Sequence, residues 1–175
     1  MPIKSRIRTI PHYPRQGIQF CDFTMLLQDP VGFRIALDKL VNRYAGQKID
    51  KIAAIESRGF IIGAPLAYRL GVGLVPIRKP GKLPAETIGH DYELEHGQDR
   101  IEVHTDAIAQ GKKVLLVDDL IATGGTAGAA AALIEKLGGE VVECAFIVDL
   151  PDVGGHKRLK NKGYQVFALC ALEGD

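Results

Sequence analysis

Val114, Leu115, Leu116 and Val117 follow one another without a polar break. Such a run predicts a strand covered on both faces, as in the interior of a parallel sheet. Apolar runs at Ile52 to Ile55, Val72 to Ile77, Val141 to Leu150 and Tyr164 to Leu172 predict further strands. Between these runs the period lengthens. Asp29-Pro30 caps and opens a helix whose Phe33, Leu37, Leu40, Val41 and Tyr44 share one face, and Gly46 stops it. Glu56-Ser57-Arg58-Gly59-Phe60 turns into a second helix that ends near Leu70-Gly71. Ala127 to Leu137, closed by Gly138 and Gly139, is a third. Ile3, Ile7 and Ile10 predict a short helix ended by Pro11, and His12 to Thr24, rich in turn formers, reads as an ordered loop. Tyr92 to Glu95 and Ile101 to His104 alternate around His96-Gly97-Gln98-Asp99, the pattern of a hairpin. His156 to Lys162 reads as a solvated helix or loop. Strands alternating with helices predict an α/β fold with a mostly parallel sheet flanked by helices.

Composition narrows the function classes. The 175 residues predict one domain, 1–175. Lys and Arg total 22 against 21 Asp and Glu, a net charge of +1, which argues against a broad nucleic-acid surface. No apolar run is long enough to span a membrane, and the N-terminal stretch lacks the apolar core of a signal peptide. Cys21, Cys144 and Cys170 are too scattered for a disulfide framework or a zinc site, and the five histidines show no ligand spacing. A cytoplasmic location is the expectation.

The candidate chemistry lies just past the central apolar run, in Asp118-Asp119-Leu120-Ile121-Ala122-Thr123-Gly124-Gly125-Thr126. Two glycines bring the backbone close to a ligand, a helix N-terminus follows, and Thr123 and Thr126 add hydroxyls. That is a cradle for one phosphate group. Asp118 and Asp119 would repel a phosphate beside them, so they face a vicinal diol or a magnesium shell. Phosphate at one end and hydroxyls at the other describe a ribose 5-phosphate. Neither GxxxxGK[ST] nor GxGxxG is present. Arg58 sits at the carboxyl end of a strand beside a helix start, the ligand-binding edge of an open α/β sheet, and is either an anion site or an exposed surface arginine. Arg78, Lys79 and Lys82 place three cations in five residues on a Pro/Gly-punctuated loop, either a solvated face or a polyanion clamp. The long loop ending in a hairpin suggests a mobile lid over 78–104.

With those residues in view, the stretch VDDLIATGGT resembles the phosphoribosyl-pyrophosphate (PRPP) motif of the type I phosphoribosyltransferases. YPRQGIQFCDFTMLL, ESRGF, RKPGKLP and YELEHG, in that order, resemble the members of the family that act on adenine. The resemblance implies the type I phosphoribosyltransferase fold, with an N-terminal hood over 1–28 and a flexible β-hairpin lid. It implies transfer of the 5-phosphoribosyl group from PRPP to adenine, giving AMP and pyrophosphate, with Mg2+ carried by PRPP. By the same resemblance Ala122, Thr123, Gly124, Gly125 and Thr126 hold the 5-phosphate, and Asp118 and Asp119 the ribose hydroxyls. Arg58, Arg78, Lys79 and Lys82 face pyrophosphate, some from the neighbouring subunit of a homodimer. Glu95 assists proton transfer at the base. Phe20 stacks on the ring, and the main chain near Gln19 and Cys21 reads its amino edge. A non-proline cis peptide is implied in the loop holding Glu56 and Ser57.

Members acting on 6-oxopurines usually carry an acid where this chain has Ala122, which favours adenine over hypoxanthine, guanine or xanthine. The chain departs from its relatives at Cys21, often Arg, at His96, often Tyr, and at Met25, often smaller or Pro. A PRPP-sensing regulator that has lost catalysis is the competing class. The loop-like N-terminal segment, neither basic nor helical, argues against the added helix-turn-helix of such regulators.

Overall fold

A computed structural model of the chain describes residues 3–94 and 97–173. Its strands are β1 (Arg8–Pro11), β2 (Gln19–Asp22), β3 (Lys51–Ile55), β4 (Gly73–Ile77), β5 (Thr87–Leu94), β6 (Gly97–His104), β7 (Lys113–Ile121), β8 (Glu140–Asp149) and β9 (Val166–Ala171). Its α-helices are α1 (Thr24–Gln28), α2 (Pro30–Tyr44), α3 (Arg58–Leu70), α4 (Gly125–Lys136) and α5 (Gly155–Asn161), with 3-10 turns at Ile3–Arg6 and Pro151–Val153.

Five strands form a parallel sheet in the order β4-β3-β7-β8-β9. β7 lies in the middle, which accounts for its unbroken apolar run. Successive side chains on a strand point to opposite faces. Val114 and Leu116 pack with Ala130, Leu133 and Ile134 of α4, while Leu115 and Val117 pack with Leu40 of α2 and Ile62 and Leu66 of α3. Both faces are covered, so both sets had to be apolar. α2 begins as predicted: the Asp29 carboxylate accepts from Val31 N–H at 3.0 Å, with Pro30 in the first turn.

The N-terminal segment differs from the expectation. The three isoleucines do not form one helix: a 3-10 turn ends at Arg6, and β1 follows. The stretch expected to be a loop supplies β2, which pairs antiparallel with β1, and then α1. Pro11 is tolerated because it ends a two-stranded ribbon, where a missing N–H breaks no interior ladder. The second hairpin, β5–β6, is longer than the alternation suggested, with pairing from Thr87↔His104 to Leu94↔Gly97. Tyr92, Ile101 and Val103 on that hairpin are buried in the core on the α4 side of the sheet. The hairpin is thus rooted in the core along one side.

Candidate functional site

The carboxyl ends of the parallel strands carry the site, as expected for an open α/β sheet. Beside β3 the pairing of β7 stops at Val117, whereas beside β8 it runs on from Asp118↔Phe146 to Ile121↔Asp149. Asp118 and Asp119 therefore lie past the end of one neighbour but still within the ladder of the other, and β7 holds them rigidly. Leu120, Ile121, Ala122 and Thr123 continue the chain into α4. A cleft of about 180 Å³ opens here, walled by Asp118, Asp119, Ala122, Thr123, Gly124, Thr126 and Arg58. Arg58 is distant from the acids in sequence, but α3 starts directly against them. A Cβ built on the adjacent Gly59 would lie 3.1 Å from Asp118 Oδ1.

The electrostatics of the acids are asymmetric. Asp119, only 4% exposed, is paired through Oδ2 with Arg58 Nε at 2.8 Å. Asp118 accepts the Asp119 N–H at 2.9 Å, yet burial, then the neighbouring Asp119 charge, push its carboxyl well above the usual carboxylate range. Arg58 also reaches toward the N-terminal segment, with its guanidinium carbon 5.7 Å from the centre of the Phe20 ring. Tyr13 meets Phe20 edge-on at 5.2 Å. Burial, then the Asp119 charge, raise the Cys21 thiol. Phe20 thus adjoins Arg58, and Cys21 lies within the field of Asp119, while Gln19 is exposed.

The loop is a glycine turn that opens directly into a helix. Gly124 adopts a left-handed φ of 81° and caps α4, and Thr123 Oγ1 accepts the Gly125 N–H at 3.3 Å. The loop is held from behind by the start of α5. Gly155 N–H donates to Ala122 O at 2.9 Å, and Arg158 Nη1 donates to Thr123 O at 2.8 Å. A Cβ on Gly155 would lie 2.4 Å from Ala122 O and 2.6 Å from Gly124 N, so only glycine fits there. Asp149, buried at the end of β8, pairs with His156 Nδ1 at 2.8 Å and pins the same helix. Sequence reasoning missed these supports. The available signal was Gly154-Gly155 just after a strand, at the same sheet edge as the other loops.

Arg78 and Lys79 are engaged elsewhere. Arg78 Nε pairs with Glu56 at 2.8 Å, and the Glu56-Ser57 peptide is cis, as the resemblance implied. Lys79 pairs with Asp99 and lies 3.3 Å from Tyr92 OH, joining its loop to the hairpin. Lys82 is exposed, with no ion pair among the described residues. None of these three lines the cleft. The hairpin comes close to the start of α4: a Cβ on Gly125 would lie 3.3 Å from Glu93 O. Glu95 and His96 lie outside the described residues.

Among the described residues no three His, Cys, Asp or Glu side chains converge as a metal cage. Two adjacent carboxylates opening on a cleft do suit magnesium, which favours one or two protein acids plus substrate oxygens. No helix among the described residues is long and apolar enough to cross a membrane.

Residues 32–169 match the phosphoribosyl transferase domain. The chain is 67% identical, over the full length of both proteins, to the adenine phosphoribosyltransferase of Nitrosospira multiformis. It is 50% identical to the crystal structure of adenine phosphoribosyltransferase from Thermoanaerobacter pseudethanolicus, with a TM-score of 0.93 over 97% of this chain and 98% of that one. The Saccharomyces cerevisiae enzyme, solved with an imino-altritol bisphosphate and adenine, is 40% identical with a TM-score of 0.89, covering 96% of each chain. The chain belongs to the phosphoribosyltransferase family, within its adenine phosphoribosyltransferase branch.

Proposed function

We propose that the chain transfers the 5-phosphoribosyl group of PRPP to adenine, giving AMP and pyrophosphate. The observation that carries this reading is the single cleft in which Asp118 and Asp119 adjoin the Thr123–Thr126 cradle, with Arg58 across from them. The acids accept from the ribose hydroxyls, and the loop amides and threonine hydroxyls hold the 5-phosphate. The ring nitrogen of adenine forms a bond to the anomeric carbon as the bond from that carbon to pyrophosphate breaks, through an oxocarbenium-like transition state. The chain's work is to hold the reactants in line and stabilise the departing anion. Arg58, the one cation among the described residues that line the cleft, serves the anion. Magnesium carried by PRPP would supply further charge stabilisation, with Asp118 and Asp119 the residues in reach of it. Phe20 stacks on the base, and the main chain at Gln19 and Cys21 reads its edge. Arg78, Lys79 and Lys82 complete the anion site in a homodimer.

Incubation with PRPP, magnesium and each purine base in turn should give AMP much faster than IMP, GMP or XMP. Equal turnover of hypoxanthine would overturn the base assignment. Glu95 is proposed to take the proton that adenine loses. Glu95→Gln should lower kcat by about 100-fold while PRPP binding changes little. Wild-type turnover in that variant would remove Glu95 from the mechanism.

A further inference from the structure

The cradle has a back as well as a front. A trans peptide points its C=O and the following N–H in opposite directions. The cis bonds among the described residues are Tyr13-Pro14 and Glu56-Ser57, so the Ala122–Thr123 and Thr123–Gly124 peptides are trans. Gly155 N–H holds the Ala122 carbonyl at 2.9 Å, and Arg158 holds the Thr123 carbonyl at 2.8 Å. Both carbonyls are drawn toward α5, which turns the N–H groups of Thr123 and Gly124 the opposite way.

We propose that Arg158 is a positioning residue: by holding the Thr123 carbonyl it presets the Gly124 N–H for the 5-phosphate of PRPP. The inference rests on the reading of Thr123–Thr126 as the 5-phosphate cradle. Arg158 does not line the cleft of the acids, and it lies 35 residues from Thr123 in sequence. It is exposed, while the adjacent Leu159 is buried and anchors the helix. Replacing Arg158 therefore removes the brace without opening the core. Preset donors cost no reorganisation when the anion arrives, so loss of the brace appears in PRPP affinity.

The test is steady-state kinetics of Arg158→Ala and Arg158→Lys beside Thr126→Val, which removes a hydroxyl of the cradle itself. In Arg158→Ala the KM for PRPP should rise about tenfold, with kcat and the KM for adenine within about twofold of wild type. Arg158→Lys should restore most of the loss. The ratio of variant to wild-type KM should persist at high ionic strength, because a hydrogen bond is not screened as a distant charge is. A ratio that collapses toward one in salt assigns the effect to charge and overturns the positioning role. An unchanged PRPP KM in Arg158→Ala also overturns it, with or without a loss of melting temperature. If Thr126→Val still raises that KM, the cradle reading survives; if neither variant does, both fall.

Discussion

Gly155→Ala should lower kcat/KM for PRPP by about 100-fold and destabilise the fold by about 1–3 kcal/mol. The added methyl would lie 2.4 Å from Ala122 O, 2.6 Å from Gly124 N and 2.7 Å from Thr123 C. All three are backbone atoms, so no side chain can swing aside. Either α5 retreats, losing the Gly155 N–H to Ala122 O bond, or the cradle moves into the cleft. Both outcomes displace the donors proposed to meet the 5-phosphate, and a misplacement of about 1 Å is costly in catalysis. Gly73→Ala is the control, since a Cβ there meets nothing within 4 Å. Urea unfolding and PRPP kinetics on the two variants check the expectation. A wild-type KM for PRPP in Gly155→Ala would show that the loop does not depend on this contact.

Asp118→Asn should separate stability from function. Burial, then the Asp119 charge, hold the Asp118 carboxyl well above its usual range in the folded chain. In the pH window between the ordinary carboxylate value and that raised one, the folded state binds more protons than the unfolded state. Stability therefore falls as pH rises through the window. Asparagine has no charge to bury and keeps an oxygen for the Asp119 N–H. The variant should lose this pH dependence and melt above wild type at neutral pH. It should also lose the carboxyl proposed to accept from the ribose hydroxyls, lowering kcat/KM for PRPP by about 100-fold. Melting curves across pH, paired with kinetics, read both effects. A variant no more stable than wild type at neutral pH would refute the account of Asp118.

The central strand, the helix starts at Pro30 and Arg58, and the glycine turn leading into α4 were legible along the chain. Each depends on a short-range rule: apolar residues in sequence for a strand covered twice, Asp-Pro for a helix start, paired glycines where backbone must meet an anion. Local periodicity misread the N-terminal segment because a two-stranded ribbon is set by which strand lies opposite, here Ile10↔Phe20, and not by either strand alone.

Partnerships across the fold were decided by packing. Arg78 and Lys79 read as solvated or clamping cations, and their partners Glu56 and Asp99 are ones that no local pattern names. The basic stretch from His156 to Lys162 read as a solvated helix or loop; it is helical to Asn161, and it also supplies the Arg158 contact to Thr123. A pattern of residue types records which side chains can bond, whereas the acceptor that stands within reach depends on how distant strands bring their ends to one edge of the sheet.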